Sequence, residues 1–217
     1  VKAVVKNYQN ELFLNKDKDL YIDYCSYKAS EFSVYKWHYS KSMPSGKLVR
    51  FGVWEKGNFI GCVIFGTGAN MNMSKIVNLT HYEVCELVRV ALDKHKNPVS
   101  KIVSYCLKKI KKDFPNLKAI ISYADPRQNH TGKIYQAMNW IYLGVTTPAI
   151  HFMKNGKFYH SRTVNQQRRD NENYDMSLFT RIKTNKHKYI YLYDKSLICH
   201  IKDKITKYPC VSSSEDE

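Results

Sequence analysis

The sequence predicts an α/β fold: a central mixed sheet flanked by helices, with additional C-terminal strands and basic loops. Three observations carry this. Two apolar runs, Leu48 to Trp54 and Phe59 to Phe65, flank Glu55-Lys56-Gly57-Asn58, the pattern of an antiparallel hairpin. A strand, a helical period and a second strand follow one another between Glu86 and Ala124, which predicts parallel neighbours joined by a crossover. Of the 217 residues 43% are hydrophobic, enough to bury one sizeable core but not two.

Taken in order, residues 19–27 alternate and carry β-favouring aromatics, so they predict a strand. Ser30 then caps a helix running to about Tyr39. A turn at Pro44-Ser45-Gly46 leads into the hairpin, whose second strand ends at Gly66, Gly68 and Asn70. Glu86 to Leu92 reads as a strand, and Val99 to Phe114 repeats apolar residues at helical spacing until Pro115 closes it. Leu117 to Ala124 is a buried-looking strand, and His130 to Trp140 a helix ending before Gly144. Ile150 to Met153 and Lys157 to Ser161 flank Lys154-Asn155-Gly156, a second hairpin. Asn165 to Asp175 is polar throughout and reads as a loop or arm, Lys183 to Lys188 as a basic turn, and Tyr189 to Tyr193 as a strand. The expected organisation is a core over 1–163, a basic extension over 164–211 packing on it, and a disordered acidic tail over 212–217.

Composition narrows the function classes. No window approaches the run of about twenty apolar residues that a membrane span needs, and no signal-peptide core stands at the N-terminus, so a cytoplasmic protein without a membrane partner is expected. The cysteines Cys25, Cys62, Cys85, Cys106, Cys199 and Cys210 form no CxxC pair, and the eight histidines form no HxH or HxxxH pair, so spacing gives no metal site. The formal charge of +16 draws the chain towards polyanions through counterion release, which makes nucleic acid the expected partner; a solvated basic surface is the competing reading.

Candidate site residues come from position and residue type. Arg89 stands among apolar residues in a strand and needs an anionic partner, either Asp125 across neighbouring strands or a bound donor. Asp125 follows the C-terminal end of a buried strand, where α/β sheets present functional groups; it equally suits the first position of the Asp125-Pro126 turn. Tyr135 lies on a helix pointing at that edge and is a candidate general acid, or else a ring packed under the sheet. Tyr35 to Lys41 mixes aromatics with cations, which suits stacking on unpaired bases. Trp37, His38, Tyr39 and Lys41 are therefore candidate nucleic-acid contacts, although Trp37 also fits an inward-packed helix face. Arg162, Arg168 and Arg169, with Arg181, Lys183, Lys186 and Lys188, offer a second basic surface for backbone contacts, against a solvated charged loop.

Several segments together resemble one family. Trp37-His38-Tyr39-Ser40, Gly52-Val53-Trp54-Glu55, Phe65 to Asn70, Glu86 to Leu92, Pro98-Val99-Ser100, Ser122 to Asp125 and Ile134 to Trp140 are similar, in order and spacing, to the phage Mom family of DNA adenine hypermodification proteins. The resemblance covers roughly residues 35–163. It implies a GNAT-like catalytic core and a transferase adding a carbamoylmethyl (acetamido) group to the exocyclic amine of adenine, which protects phage DNA from restriction. It further implies that Arg89, Asp125, Tyr135 and Ser100 serve activity and that the host cell's cytoplasm is the setting, and it leaves a metal possible by resemblance only. The group donor is left open: acyl-CoA by fold resemblance, or glycyl-tRNA by the chemistry of the product, which would make tRNA a partner beside DNA. Lys94, Lys96, Ser100 and Lys101 are the candidates to hold the donor's phosphates. Yet the loop Asp93 to Ser100 has no glycine to let backbone amides approach a pyrophosphate. An ordinary N-acetyltransferase acting on a small amine or protein, and a non-catalytic nucleic-acid-binding protein, are the rival functions.

Overall fold

A computed structural model describes residues 19–68, 72–171 and 173–209. Ten strands form two sheets. β1 (Leu20–Tyr24), β2 (Leu48–Glu55), β3 (Asn58–Gly66), β4 (Val84–Leu92), β5 (Ala119–Ala124), β10 (His187–Leu192) and β6 (Ile141–Val145) make a seven-stranded sheet in that spatial order. Within it only β4 and β5 pair in parallel, the other neighbours being antiparallel. β7 (Ala149–Lys154), β8 (Lys157–Tyr159) and β9 (Thr180–Thr184) form a small second sheet with β7 in the middle. Four α-helices accompany them: α1 (Tyr27–Trp37), α2 (Val99–Asp113), α3 (Lys133–Gln136) and α4 (Ser161–Asp170).

The two hairpin signals hold for one reason. Lys56 and Gly57 turn with φ 49° and 80°, Asn155 and Gly156 with 49° and 72°, and paired left-handed residues match the twist of the strands they join. In α2, Ile102, Val103, Cys106, Leu107 and Ile110 make one buried stripe against alternate residues of the sheet, among them Phe51, Val63, Phe65 and Ile120. α1 covers the opposite face through Ser30, Ser33 and Val34, next to Cys62, Ile64 and Ala91. Its small residues let the helix lie close, and the two serine hydroxyls satisfy themselves by donating to Tyr27 O and Ala29 O. Short 3₁₀ segments at Met73–Val77 and Lys195–His200 complete that face with Val77, Leu197 and their neighbours.

Four expectations change. Ser26, not Ser30, caps α1, accepting from Ala29 N at 3.2 Å. The helix expected over 130–140 shrinks to the four residues of α3, because Gly132 enters it at φ 83° and Asn139 leaves the following turn at φ 56°. The expected polar loop over 165–175 is largely the helix α4, which buries only Val164 and so shows no apolar stripe. The basic turn expected over 183–188 is instead the end of β9 and the start of β10. Moreover β10 is an interior strand of the main sheet, not part of an appended segment. The expected tail over 212–217 and Cys210 lie outside the described residues.

Gly132 is the tightest point near the sheet edge. A Cβ there would lie 2.3 Å from the Tyr189 ring, whose hydroxyl donates to Thr131 O. Gly132→Ala is expected to cost at least about 2 kcal/mol, from the positive φ and the overlap together, and to lower Tm by about 4–8 °C in calorimetry.

Candidate active site

The site is a fork in the sheet. β4 and β5 pair from Val84↔Ala119 to Leu87↔Ser122 and then part, although β4 continues to Leu92 and β5 to Ala124. The parting coincides with a bulge on the other side of β4. Ile64 opposes Arg89 and Phe65 opposes Leu87, which leaves Val88 as an extra residue that bends the strand. A cavity of about 500 Å³ fills the fork. Trp37, His38 and Tyr39 wall it from the end of α1, Leu87 to Val90 from β4, Tyr123 and Ala124 from β5, and residues 129–135 from the segment leading into α3.

Tyr135 stands at the vertex. Ser122 Oγ donates to Leu87 O at 2.8 Å across the last paired rung, and with its proton committed there it accepts from the Tyr135 hydroxyl at 2.7 Å. Only 7% of Tyr135 is exposed, its ring packing 5.0 Å from both Trp140 and Tyr189. Burial pushes its phenol up to about 12 against the pull of Ser122, so it keeps its proton at neutral pH.

Arg89 also lines the cavity. Its Nη1 donates to Val88 O at 2.7 Å, and Nε and Nη2 reach Ser42 O at 3.4 Å. Among the described residues it has no salt bridge. Burial lowers its pKa, with Tyr39 and Glu86 acting the other way. The guanidinium is thus held beside an open space by neutral carbonyls.

Asp125 is placed differently from expectation: it neither pairs with Arg89 nor lines the fork. It opens the Pro126–Gln128 turn, and its carboxylate accepts from Arg127 N at 3.1 Å, Nε at 3.3 Å and Nη2 at 2.9 Å. The Arg127 guanidinium in turn stacks 3.6 Å over the Phe158 ring, which ties β8 to the end of β5. Burial raises the Asp125 carboxyl and the bonds from Arg127 outweigh it, holding it below its ordinary value. A depressed carboxylate stabilises the fold above the unfolded value near 3.8 and loses that contribution as pH falls through the folded value. Asp125→Asn is therefore expected to lower Tm by about 4–8 °C near neutrality, with the gap from wild type closing below about pH 4 in melts taken across pH.

The remaining candidates divide. Trp37 sits half-buried at the cavity wall, edge-on to Phe32 at 5.3 Å, and Tyr39 is its more open neighbour. Lys41 turns away, its Nζ donating to Lys36 O at the end of α1. Arg162, Arg168 and Arg169 are exposed along α4 and do not reach the cavity. Lys94 and Lys96 are exposed, Lys101 donates to Asn97 Oδ1 at 2.8 Å, and Ser100 lies half-buried in the first turn of α2.

Two residues of consequence stand in segments that carry the family resemblance but were not among the candidate site residues. One is Ser122. The other is Glu55, whose carboxylate accepts from Lys96 N at 2.9 Å and from Asn97 N and Nδ2 at 2.8 Å. A coenzyme's diphosphate would need such amides in this loop, and a carboxylate already holds two of them. The loop does not fit that group. Nor do the described residues bring together three His, Cys, Asp or Glu side chains in a set suited to a metal ion.

The Mom protein family model matches residues 19–210. The chain belongs to the Mom protein family. Among its relatives is the methylcarbamoylase mom of Escherichia phage Mu, 26% identical over 172 residues that span 77% of this chain and 71% of that protein. A spermidine N-acetyltransferase from Vibrio cholerae shares the fold at a TM-score of 0.50 and 13% identity, covering 82% of this chain and 96% of its own. The ribosomal-protein-S5-alanine acetyltransferase of Vibrio fischeri gives 0.49 at 11% identity, covering 82% and 95%. The chain thus shares the mixed α/β fold of that spermidine N-acetyltransferase. Among its described residues no helix is long and apolar enough to cross a membrane.

Proposed function

We propose that this Mom-family chain modifies adenine in DNA, placing a carbamoylmethyl group on the exocyclic amine of a base extruded into the fork, and so shields the DNA from restriction. The observation that carries this reading is the fork itself: a cavity of about 500 Å³ whose wall holds a guanidinium, a protonated phenol and aromatic rings and, among the described residues, no carboxylate. A purine is an acceptor-rich plate, and such a wall offers donors to its ring nitrogens and faces for stacking. The charge of +16 supports a polyanionic partner, with the exposed arginines of α4 available for phosphates away from the cavity.

Adenine's amine is a weak nucleophile because its lone pair is shared with the ring, so the donor must be an activated acyl ester. Tyr135 supplies the proton that the leaving group takes, and Arg89 faces the carbonyl. Asp125, occupied by Arg127, positions the neighbouring turn and is not the base. In this reading His130, exposed at the cavity rim, accepts the amine's proton. A glycyl donor such as glycyl-tRNA accounts for the product without further reagents. After transfer, the glycyl amine attacks the purine carbon bearing the new amide, the old carbon–nitrogen bond breaks, and a carbamoylmethyl amine of the same composition remains.

Mass spectrometry of nucleosides from cells expressing the chain tests this. A deoxyadenosine carrying the added group is expected, labelled when the cells are fed labelled glycine. Unmodified adenine throughout would sink the transferase reading, and an unlabelled modification would sink the glycyl donor.

A further inference from the structure

His38 follows α1 directly, its N–H closing the helix on Val34 O at 3.1 Å, and only 8% of it is exposed. Its ring lines the fork and stacks on Tyr39 at 4.3 Å. Where its proton sits follows from one bond. Ser40 N lies 3.1 Å from His38 Nδ1, and a backbone amide only donates, so Nδ1 is an acceptor. The Ser40 hydroxyl, 2.8 Å from the same atom, faces it too. The neutral ring must therefore carry its proton on Nε2, the nitrogen that Ser40 does not engage.

The surroundings keep the ring neutral. Burial, then Arg89 from β4, His130 from the segment after β5, and Lys41 from its own turn disfavour a second proton, holding the imidazole at about 3. A ring with its lone pair turned back to Ser40 cannot serve the cavity as a base. It can serve as a donor, and a neutral one stands beside a guanidinium without repelling it.

We propose that His38 is a catalytic residue of the transfer reaction, its Nε2–H and the Arg89 guanidinium together holding the carbonyl oxygen of the acyl donor as that oxygen takes up negative charge. This deepens the function proposed above and rests on it. The adenine amine's lone pair forms the new bond to the carbonyl carbon, and the carbon–oxygen π pair moves onto the oxygen between the two donors. When that pair returns, the ester bond breaks. The departing oxygen takes the Tyr135 proton, and the proton lost by the amine, taken up at His130, returns to the phenol. His38 takes no part in proton transfer. Arg89 lends positive charge beside this donor, its Nη1 giving one of its N–H groups to Val88 O.

The test compares wild type with His38→Phe and His38→Gln, scoring the rate at which modified deoxyadenosine accumulates after induction, with thermal melts to verify folding. Phenylalanine keeps the ring and removes the donor, and is expected to slow modification about 100-fold. Glutamine restores an N–H near the Nε2 position, and is expected to recover about 10-fold of that loss, which a merely structural role would not predict. In ¹⁵N NMR of the purified protein, His38 should show a protonated Nε2 that does not titrate between pH 8 and about 5. Full activity in His38→Phe, or a folded His38→Gln as slow as His38→Phe, overturns the proposal while the wider function stands. So does a proton found on Nδ1, a measurement that decides the matter even where a variant fails to fold. A wild-type chain that leaves adenine unmodified overturns the transferase reading, and this role with it.

Discussion

Tyr135→Phe is expected to reduce adenine modification by about 100- to 10,000-fold, the range that a positioned proton donor supplies, with little change in fold. The phenol is the group whose proton is retained at neutral pH and whose hydroxyl stands where the β4–β5 ladder ends. Removing it leaves Ser122 Oγ still bonded to Leu87 O, so one hydrogen bond is lost and no buried donor is orphaned. The stability cost is about 1 kcal/mol, and Tm should fall by about 2–4 °C. Nucleoside mass spectrometry beside a thermal melt separates the two quantities. A large loss of Tm with activity kept would mean that Tyr135 is only a packed ring.

Arg89→Met is expected to lower modification by about 100- to 1,000-fold, the usual loss when one preorganised donor is taken from developing charge. Its effect on stability should have the opposite sign from most core substitutions. The guanidinium is half-buried and lowered by burial, and among the described residues it has no salt bridge to recover that cost. A methionine of similar reach removes the buried charge, so Tm is expected to hold or rise. A site that stabilises a reaction at the fold's expense shows this combination, and a structural arginine does not. Melting curves and modification rates on the same preparations check both halves.

How far the sequence disclosed these features depends on whether their causes are local. Hairpin turns are local, and Lys56-Gly57 and Asn155-Gly156 announce them; so is the apolar stripe of α2. The fork is not local. It arises from an extra residue at Val88 set against β3 and from a ladder that stops at Ser122, neither of which leaves a mark in the chain. The same holds for β10, legible as a strand at Tyr189 but not as one inserted between β5 and β6. α4 escaped because its ten residues bury one valine and its cap is His160, a residue seldom read as a helix start.

The site followed the same division. Arg89 and Tyr135 were visible as an odd cation in a strand and a tyrosine before the sheet edge, and both reach the cavity. Asp125 was visible as well, but its partner lies only two residues away, and the local turn takes the carboxylate that was expected in the fork. Glu55 acts across 41 and 42 residues of sequence on Lys96 and Asn97, and Ser122 across 35 on Leu87, distances over which no motif points.

A crystal structure of the Tyr135→Phe variant with an adenine-containing oligonucleotide tests the central claim most directly. An adenine ring should occupy the fork, against Tyr39 and between β4 and β5, its exocyclic amine turned towards position 135 and the Arg89 side. An oligonucleotide bound along α4 with every base outside the fork would contradict it, and would leave a basic binding surface in place of an active site.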